Sequence, residues 1–274
     1  MKIDTAVILA AGRGSRLSSL TDGGSKPLVP FFGLPLILHN ILALQEIGIE
    51  HLVVVLGYRG EEIQRVVSHD VRVTARITWV INEEWHKSNG ISLLAAAPLV
   101  SGNFLLLMAD HLFDLGILDR LVGQPLHDGL ILCVDRKLDT IFDMEDATKV
   151  QVDRGRIVDI GKTIPAFNAV DTGIFACTPA IFPALSTIAQ ERGDVSLSEG
   201  VKRLALEGRA FVMDIEGGWW QDVDTPESYR HAQWLFLHGC SDRTRSHEGT
   251  LHGSPDPLSY PCEAAISFSE FGPI

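Results

Sequence analysis

Thr5-Ala6-Val7-Ile8-Leu9-Ala10-Ala11-Gly12-Arg13-Gly14-Ser15-Arg16-Leu17 decides how this chain is read. Thr5–Ala10 is a short apolar run with β-branched residues, which reads as a first core strand. The run stops at a Gly/Arg loop. Gly12 and Gly14 can take backbone conformations closed to other residues, so the loop can wrap phosphates and present N–H groups. Arg13 and Arg16 add permanent charge with forked donors. The dinucleotide fingerprint G-x-G-x-x-G fails because Leu17 stands at its third glycine. The Walker loop fails because no Gly-Lys-Ser/Thr follows at the required spacing. What remains suits a triphosphate, with a plain strand-to-loop turn as the alternative.

Ten residues on, Ser25-Lys26-Pro27-Leu28 places a lysine directly before a proline. Pro27 fixes its own φ and removes a donor, pinning the chain where a phosphate-clamping ammonium would need a reproducible position. Further candidate strands are His51–Leu56, Ile77–Asn82, Asn103–Ala109 and Gly129–Val134. Candidate helices lie near Pro35–Ile47, Glu61–Ser68, Ile91–Ala97 and Leu115–Val122. Alternation of this kind implies right-handed βαβ units around a mostly parallel sheet.

The pattern changes after residue 135. Thr148–Val152 and Arg156–Ile160 flank Asp153-Arg154-Gly155 as a hairpin, and Val170–Cys177 is a strand. Helices are expected from Thr178-Pro179, from Ser196-Leu197-Ser198-Glu199 to about Leu206, and from Thr225-Pro226 to about Leu237; Phe211–Ile215 is a strand. The resulting class is α/β: a Rossmann-like, mostly parallel mixed sheet flanked by helices, with a small β-rich lobe. One domain is expected over 1–239, its halves dividing near 135. Residues 240–274, rich in Ser, Gly, Pro, Asp and His, read as a weakly ordered tail.

A length of 274 residues, 46% of them hydrophobic, is enough for one sizeable core. The apolar runs are strand-sized, whereas a bilayer-spanning helix needs roughly 20 apolar residues. No membrane segment or secretory leader is expected, and the chain reads as cytoplasmic. A formal charge of −12 argues against nucleic acid and anionic membranes as partners. Cys133, Cys177, Cys240 and Cys262 show no C-x-x-C spacing, so neither a zinc site nor a disulfide framework is suggested. The oligomeric state stays open, a homo-oligomer included.

Four further segments carry candidate chemistry. Phe104-Leu105-Leu106-Leu107-Met108-Ala109-Asp110-His111 ends a strand in a carboxylate, at the sheet edge where open α/β folds bind ligands. A carboxylate there suits Mg²⁺, although an Asp can also cap the next turn. His111 either meets ligand or is a turn residue. In Trp219-Trp220-Gln221-Asp222-Val223-Asp224-Thr225, two acids at i and i+2 point the same way, and only one need bind metal. Asp224 has another role open to it beside the helix N-terminus, so Asp222 takes the second metal position. Ser88-Asn89-Gly90 precedes a small-residue helix and reads otherwise as an ordinary cap. Lys162, just past a strand, can meet an acceptor's phosphate, and Asp171-Thr172-Gly173 could let that acceptor lie against backbone.

Leu9-Ala10-Ala11-Gly12-x-Gly-Ser-Arg16-Leu17 followed by Lys26-Pro27-Leu28 closely resembles the signature of the sugar-phosphate nucleotidyltransferase superfamily. Ser25 departs from the proline many members carry there. The resemblance implies a nucleotide-diphospho-sugar transferase fold, nucleotide binding by Leu9–Ser15 and by Ser88-Asn89-Gly90, and Mg²⁺ on Asp110 and Asp222. The stretch from Asp146-Ala147-Thr148-Lys149-Val150 through Ile160-Gly161-Lys162 to Ala169–Phe175, with Met108–His111, Leu197-Ser-Glu199 and Trp220–Thr225, looks like the inositol-1-phosphate cytidylyltransferase branch. That branch is often fused to a membrane CDP-alcohol transferase, an activity not expected here. The implied substrates are CTP, or another NTP, and a small phosphorylated alcohol. Arg16, Lys26, Asp110 and Lys162 would be catalytic, with Arg13 and Arg16 on the departing pyrophosphate. Phosphocholine or aminoethylphosphonate is an alternative acceptor, for which Trp85, Phe167, Trp219 and Trp220 could form an aromatic cage. A sugar-1-phosphate acceptor and a catalytically silent nucleotide sensor are the other readings. A GT-A glycosyltransferase fits less well, because Met108-Ala109-Asp110 lacks its Asp-x-Asp pair.

Overall fold

The structure is a computed structural model and describes residues 3–17 and 23–247. Its strands, in chain order, are β1 (Thr5–Ala10), β2 (Pro30–Phe31), β3 (Leu34–Pro35), β4 (His51–Leu56), β5 (Arg76–Ile81), β6 (Phe104–Met108), β7 (His111–Phe113), β8 (Leu130–Asp135), β9 (Lys149–Asp153), β10 (Arg156–Gly161), β11 (Ala169–Cys177), β12 (Ala210–Asp214) and β13 (Trp220–Asp222). The α-helices are α1 (Leu36–Glu46), α2 (Gly60–Ser68), α3 (Asn89–Ala96), α4 (Leu115–Val122), α5 (Ile181–Arg192), α6 (Leu197–Leu206) and α7 (Pro226–His247). Nine strands form one sheet in the order β5-β4-β1-β6-β11-β8-β12-β10-β9. β11 runs antiparallel to both β6 and β8, while β1, β4, β5 and β6 pair in parallel.

Alternation along the strands splits the core into two layers. Ala6, Ile8, Leu52, Val54, Leu105 and Leu107 pack on α1, α2 and α4. Val7, Leu9, Val53, Val55, Phe104 and Leu106 pack on α3, α5 and α6. Successive side chains of a strand point to opposite faces, so a strand with helices on both sides reads as an unbroken apolar run. That is why the strand limits are legible to within a residue.

The expected β-rich lobe is a continuation of the same sheet. β9 pairs with β10, and also turns back onto Ala169 and Val170 of β11. The β9–β10 turn is Arg154-Gly155, both with positive φ (47° and 78°), which is the hairpin geometry glycine allows. The Thr178-Pro179 start is displaced: α5 begins at Ile181, because the Thr178 hydroxyl accepts from Ala180 N–H (3.3 Å) and closes a turn first. α7 runs to His247, ten residues past the expected Leu237, so the first part of the presumed tail is helical; 248–274 lie outside the described residues. Among the described residues no helix is long and apolar enough to cross a membrane.

Candidate active site

A cleft of about 360 Å³ opens over the carboxyl ends of β1 and β6, and an adjoining hollow of about 300 Å³ shares Leu9, Gly12, Arg16, Asp110 and Asp224 with it. A third apolar cluster explains why charged groups from distant segments meet there. Leu17, Val29, Phe31, Leu36, Leu112, Val223, Ala232 and Phe236 pack together against α7. Leu17 follows Arg16, Leu112 follows His111, and Val223 separates Asp222 from Asp224. Burying each apolar residue anchors the backbone of its charged neighbour. Two backbone bonds complete the frame: Ala109 N–H donates to Leu9 O (3.0 Å) and Val223 N–H to Asp110 O (2.9 Å).

Lys26 is the hub of the ionic network. Its ammonium, on a stem only 6% exposed, donates to Asp110 and to Asp224. Gly14 gives it room: φ is +61°, and a Cβ there would lie 2.4 Å from the Lys26 Cβ. Asp224 also accepts from Arg16 Nη2 (2.6 Å), whose Nη1 reaches Asp146 (2.7 Å); Asp146 in turn accepts from Lys162. One chain of alternating charge therefore runs from the Gly/Arg loop to the end of β10. Asp110 Oδ1 bonds His111 Nδ1 (2.7 Å), and the His111 ring stacks on Trp220 with centroids 6.0 Å apart.

Burial opposes charge throughout this cluster, and the neighbours decide the outcome. For Lys26, the attraction of Asp110 and Asp224 overcomes burial and raises its pKa. Asp110 is desolvated, yet Lys26 and His111 hold it well below the usual carboxylate range. His111 is raised, because the hydrogen bond and charge of Asp110, with Asp222, outweigh burial. Asp222 differs: burial, helped by repulsion from Asp224 and Asp110, lifts its pKa against the opposing attraction of His111 and Lys26. With Asp171, it is one of two cleft acids whose negative charge burial disfavours. Among the described residues no three or more His, Cys, Asp or Glu form a metal cage. Mg²⁺ asks for less, since it binds one or two carboxylates and keeps waters and substrate phosphates. Asp110 and Asp222, which line one cleft, fit that demand.

Residues 6–202 match the model of the MobA-like NTP transferase domain. The chain belongs to this family. Its relatives include a Thermococcus kodakarensis protein named bifunctional IPC transferase and DIPP synthase, 36% identical over 235 residues, which are 85% of this chain and 51% of that protein. The chain spans about half the length of the first curated relatives it matches. A UTP–glucose-1-phosphate uridylyltransferase of Haloferax volcanii is 30% identical, over 83% of this chain and 94% of the relative. Among solved structures, the inositol-1-phosphate CTP transferase from T. maritima aligns with a TM-score of 0.75 and 27% identity, over 92% of this chain and 99% of that one.

Against the NTP-transferase fold, the residues singled out from sequence divide into two groups. Leu9, Ala11, Gly12, Arg16, Asn89, Asp110, Lys162, Asp171, Gly173 and Asp222 line the cleft; Ala10, Gly14 and Lys26 line the adjoining hollow. Others serve as supports. Only Gly14 of the loop's two glycines uses a left-handed backbone; at Gly12 a Cβ would meet nothing within 4 Å. Arg13 lies with its guanidinium 5.5 Å from the centre of the Tyr58 ring, outside the cleft lining. Ser15 opens the 3-10 turn Ser15–Leu17.

Ser88 is tied by its N–H and hydroxyl to Asp194 (3.0 and 2.9 Å), and a Cβ at Gly90 would strike Val195 O at 2.5 Å. Both therefore dock α3 against the start of α6. Thr172 is fully buried, its hydroxyl donating to Cys133 O (2.8 Å), which removes it from the acceptor surface. Gly173, at φ +74°, makes room for the His111 ring. Asp224 does not serve the helix end: Ser228 N–H donates to Thr225 Oγ1 (3.0 Å), leaving Asp224 to Lys26 and Arg16. The aromatic cage does not assemble. Trp85 and Trp220 face the cleft, Trp219 packs toward Phe236, and Phe167 is absent from the lining. Sequence reading assigned no individual role to Asp146 or to Lys87, both of which line the cleft.

Proposed function

We propose that the chain transfers CMP from CTP to inositol-1-phosphate or a related cyclitol phosphate and releases pyrophosphate. The observation that carries this is the convergence of Arg16, Lys162, Asp110 and Asp222 in one cleft, with Lys26 in the adjoining hollow bound to Asp110, in a fold shared with an inositol-1-phosphate CTP transferase. A phosphate oxygen of the acceptor attacks the α-phosphorus. The new P–O bond forms as the bond from that phosphorus to the bridging oxygen breaks, and pyrophosphate leaves with the electron pair. The monoester's second pKa is about 6, so the nucleophile is already ionised at neutral pH and needs no general base. Charge neutralisation and alignment are the task.

Mg²⁺ held by Asp110 and Asp222 would supply positive charge to the phosphate oxygens. Arg16 would hold the departing pyrophosphate, and Lys26 and Lys162 would orient the acceptor phosphate. Met108, Phe175 and Leu197 give the cleft apolar walls beside these charges. The uridylyltransferase relative supports a second reading, a sugar-1-phosphate acceptor with UTP. Pyrophosphate release from each of four NTPs against inositol-1-phosphate, glucose-1-phosphate and phosphocholine separates the two. CTP with inositol-1-phosphate should be fastest; no turnover with any cyclitol phosphate rejects the proposal.

A further inference from the structure

Next to the cleft lies a third cavity, of about 430 Å³, which meets it at Trp220, Asp222 and Ala147. Gln221 and His231 stand in its wall, joined by bonds that lead to Asp222. The Gln221 amide nitrogen donates to the Asp222 carbonyl and to its carboxylate Oδ1, both at 2.9 Å. The amide oxygen lies 2.6 Å from His231 Nδ1. Gln221 is 5% exposed, so its polar atoms must find partners inside the protein.

These contacts allow one orientation. An amide nitrogen has two protons, and both are used on Asp222. Turning the amide over would set its oxygen against a carbonyl and a carboxylate, with no proton between them. The amide oxygen therefore faces His231, and His231 Nδ1 must carry a proton. The ring that presents this proton is itself held: it lies nearly parallel to Phe142 (4.7 Å, 21°) and to Trp234 (6.2 Å, 13°).

We propose that His231 and Gln221 are positioning residues for Asp222, a hydrogen-bonded relay from α7 that fixes the carboxylate for its divalent cation. The inference rests on the reading of Asp222 as a metal ligand. Partners of this kind orient ligating groups, and losing them costs roughly 10–100-fold in metal affinity.

The test is Mn²⁺ binding to the whole protein with α,β-methylene-CTP, followed by EPR, alongside the Mg²⁺ activation constant and kcat of CMP transfer. His231→Leu and Gln221→Leu should each weaken Mn²⁺ binding about tenfold. Each should raise the Mg²⁺ activation constant by a similar factor and leave kcat at saturating Mg²⁺ within about twofold. His231→Asn, which keeps a donor near Nδ1, should restore most of the affinity. The double variant should be no weaker than Gln221→Leu, because both changes break one relay. A Mn²⁺ affinity that falls in Asp222→Asn but stays at the wild-type value in folded His231→Leu overturns the relay alone. An unchanged affinity in Asp222→Asn overturns the metal reading and the relay with it.

Discussion

Replacing Gly14 by alanine tests how the Gly/Arg loop seats its lysine. Gly14 sits at φ +61°, a region that costs an L-residue roughly 1–2 kcal/mol. The added methyl would lie 2.4 Å from Lys26 Cβ and 2.6 Å from its Cδ, more than an ångström inside normal contact. The lysine cannot swing into solvent, because its stem is buried and its ammonium is bound by Asp110 and Asp224. Overpacking of this sort adds about 1–3 kcal/mol. The expected loss is about 2–5 kcal/mol, or a melting point lower by roughly 5–15 °C for a chain of this size. An ångström of displacement at Lys26 should also lower kcat about 10²-fold. Gly12→Ala is the control: no atom lies within 4 Å of the added carbon, so stability should change by less than about 0.5 kcal/mol. Gly12 lines both hollows, so kcat/KM for CTP should still fall about tenfold as the methyl meets the phosphates. Thermal denaturation and pyrophosphate release on both variants decide the matter. Wild-type melting and turnover in Gly14→Ala would refute the seating argument.

Three other changes follow from the same structure. Burial pushes the Asp171 carboxyl up to about 6, so the folded chain holds its proton more tightly than the unfolded chain, and stability falls as pH rises from about 4 to 6. Asp171→Asn should remove this slope and leave the protein about 1–3 kcal/mol more stable at pH 7, by urea denaturation at both ends of the window. Ser196 and Glu199 form a reciprocal capping box at α6, and Ser196→Ala should cost about 1 kcal/mol in urea midpoint analysis while leaving kcat unchanged. Lys162→Met should raise KM for the acceptor about tenfold with little change in KM for CTP. A shift in the CTP constant alone would contradict its assignment to the acceptor side.

The parts of this fold that could be read from sequence are those where burial leaves a pattern. β1 and β4 are apolar after their first residue because helices cover both faces of the sheet. The hairpin at Arg154-Gly155 is marked by its turn glycine. β2, β3, β7 and β13 are two or three residues long, too short to carry a period, yet β7 and β13 bring His111 opposite Asp222. The far half of α7 is polar and so lacked an apolar stripe. At the site, Lys26, Asp110 and Asp222 stood out because each abuts a motif. Asp224 was misread: Thr225 caps the helix, and the carboxylate is claimed by cations that arrive from 198 and 208 residues away. Asp146 gathers Arg16 and Lys162, a pairing that only the tertiary structure creates.

The most direct measurement is kcat of Lys26→Met at saturating CTP, Mg²⁺ and inositol-1-phosphate, with the melting curve recorded on the same sample. Methionine keeps the buried stem and deletes the charge that Asp110 and Asp224 share. Turnover should drop by at least about 10²-fold in a folded protein. A rate within about threefold of wild type would mean that nucleotidyl transfer does not run through this cleft.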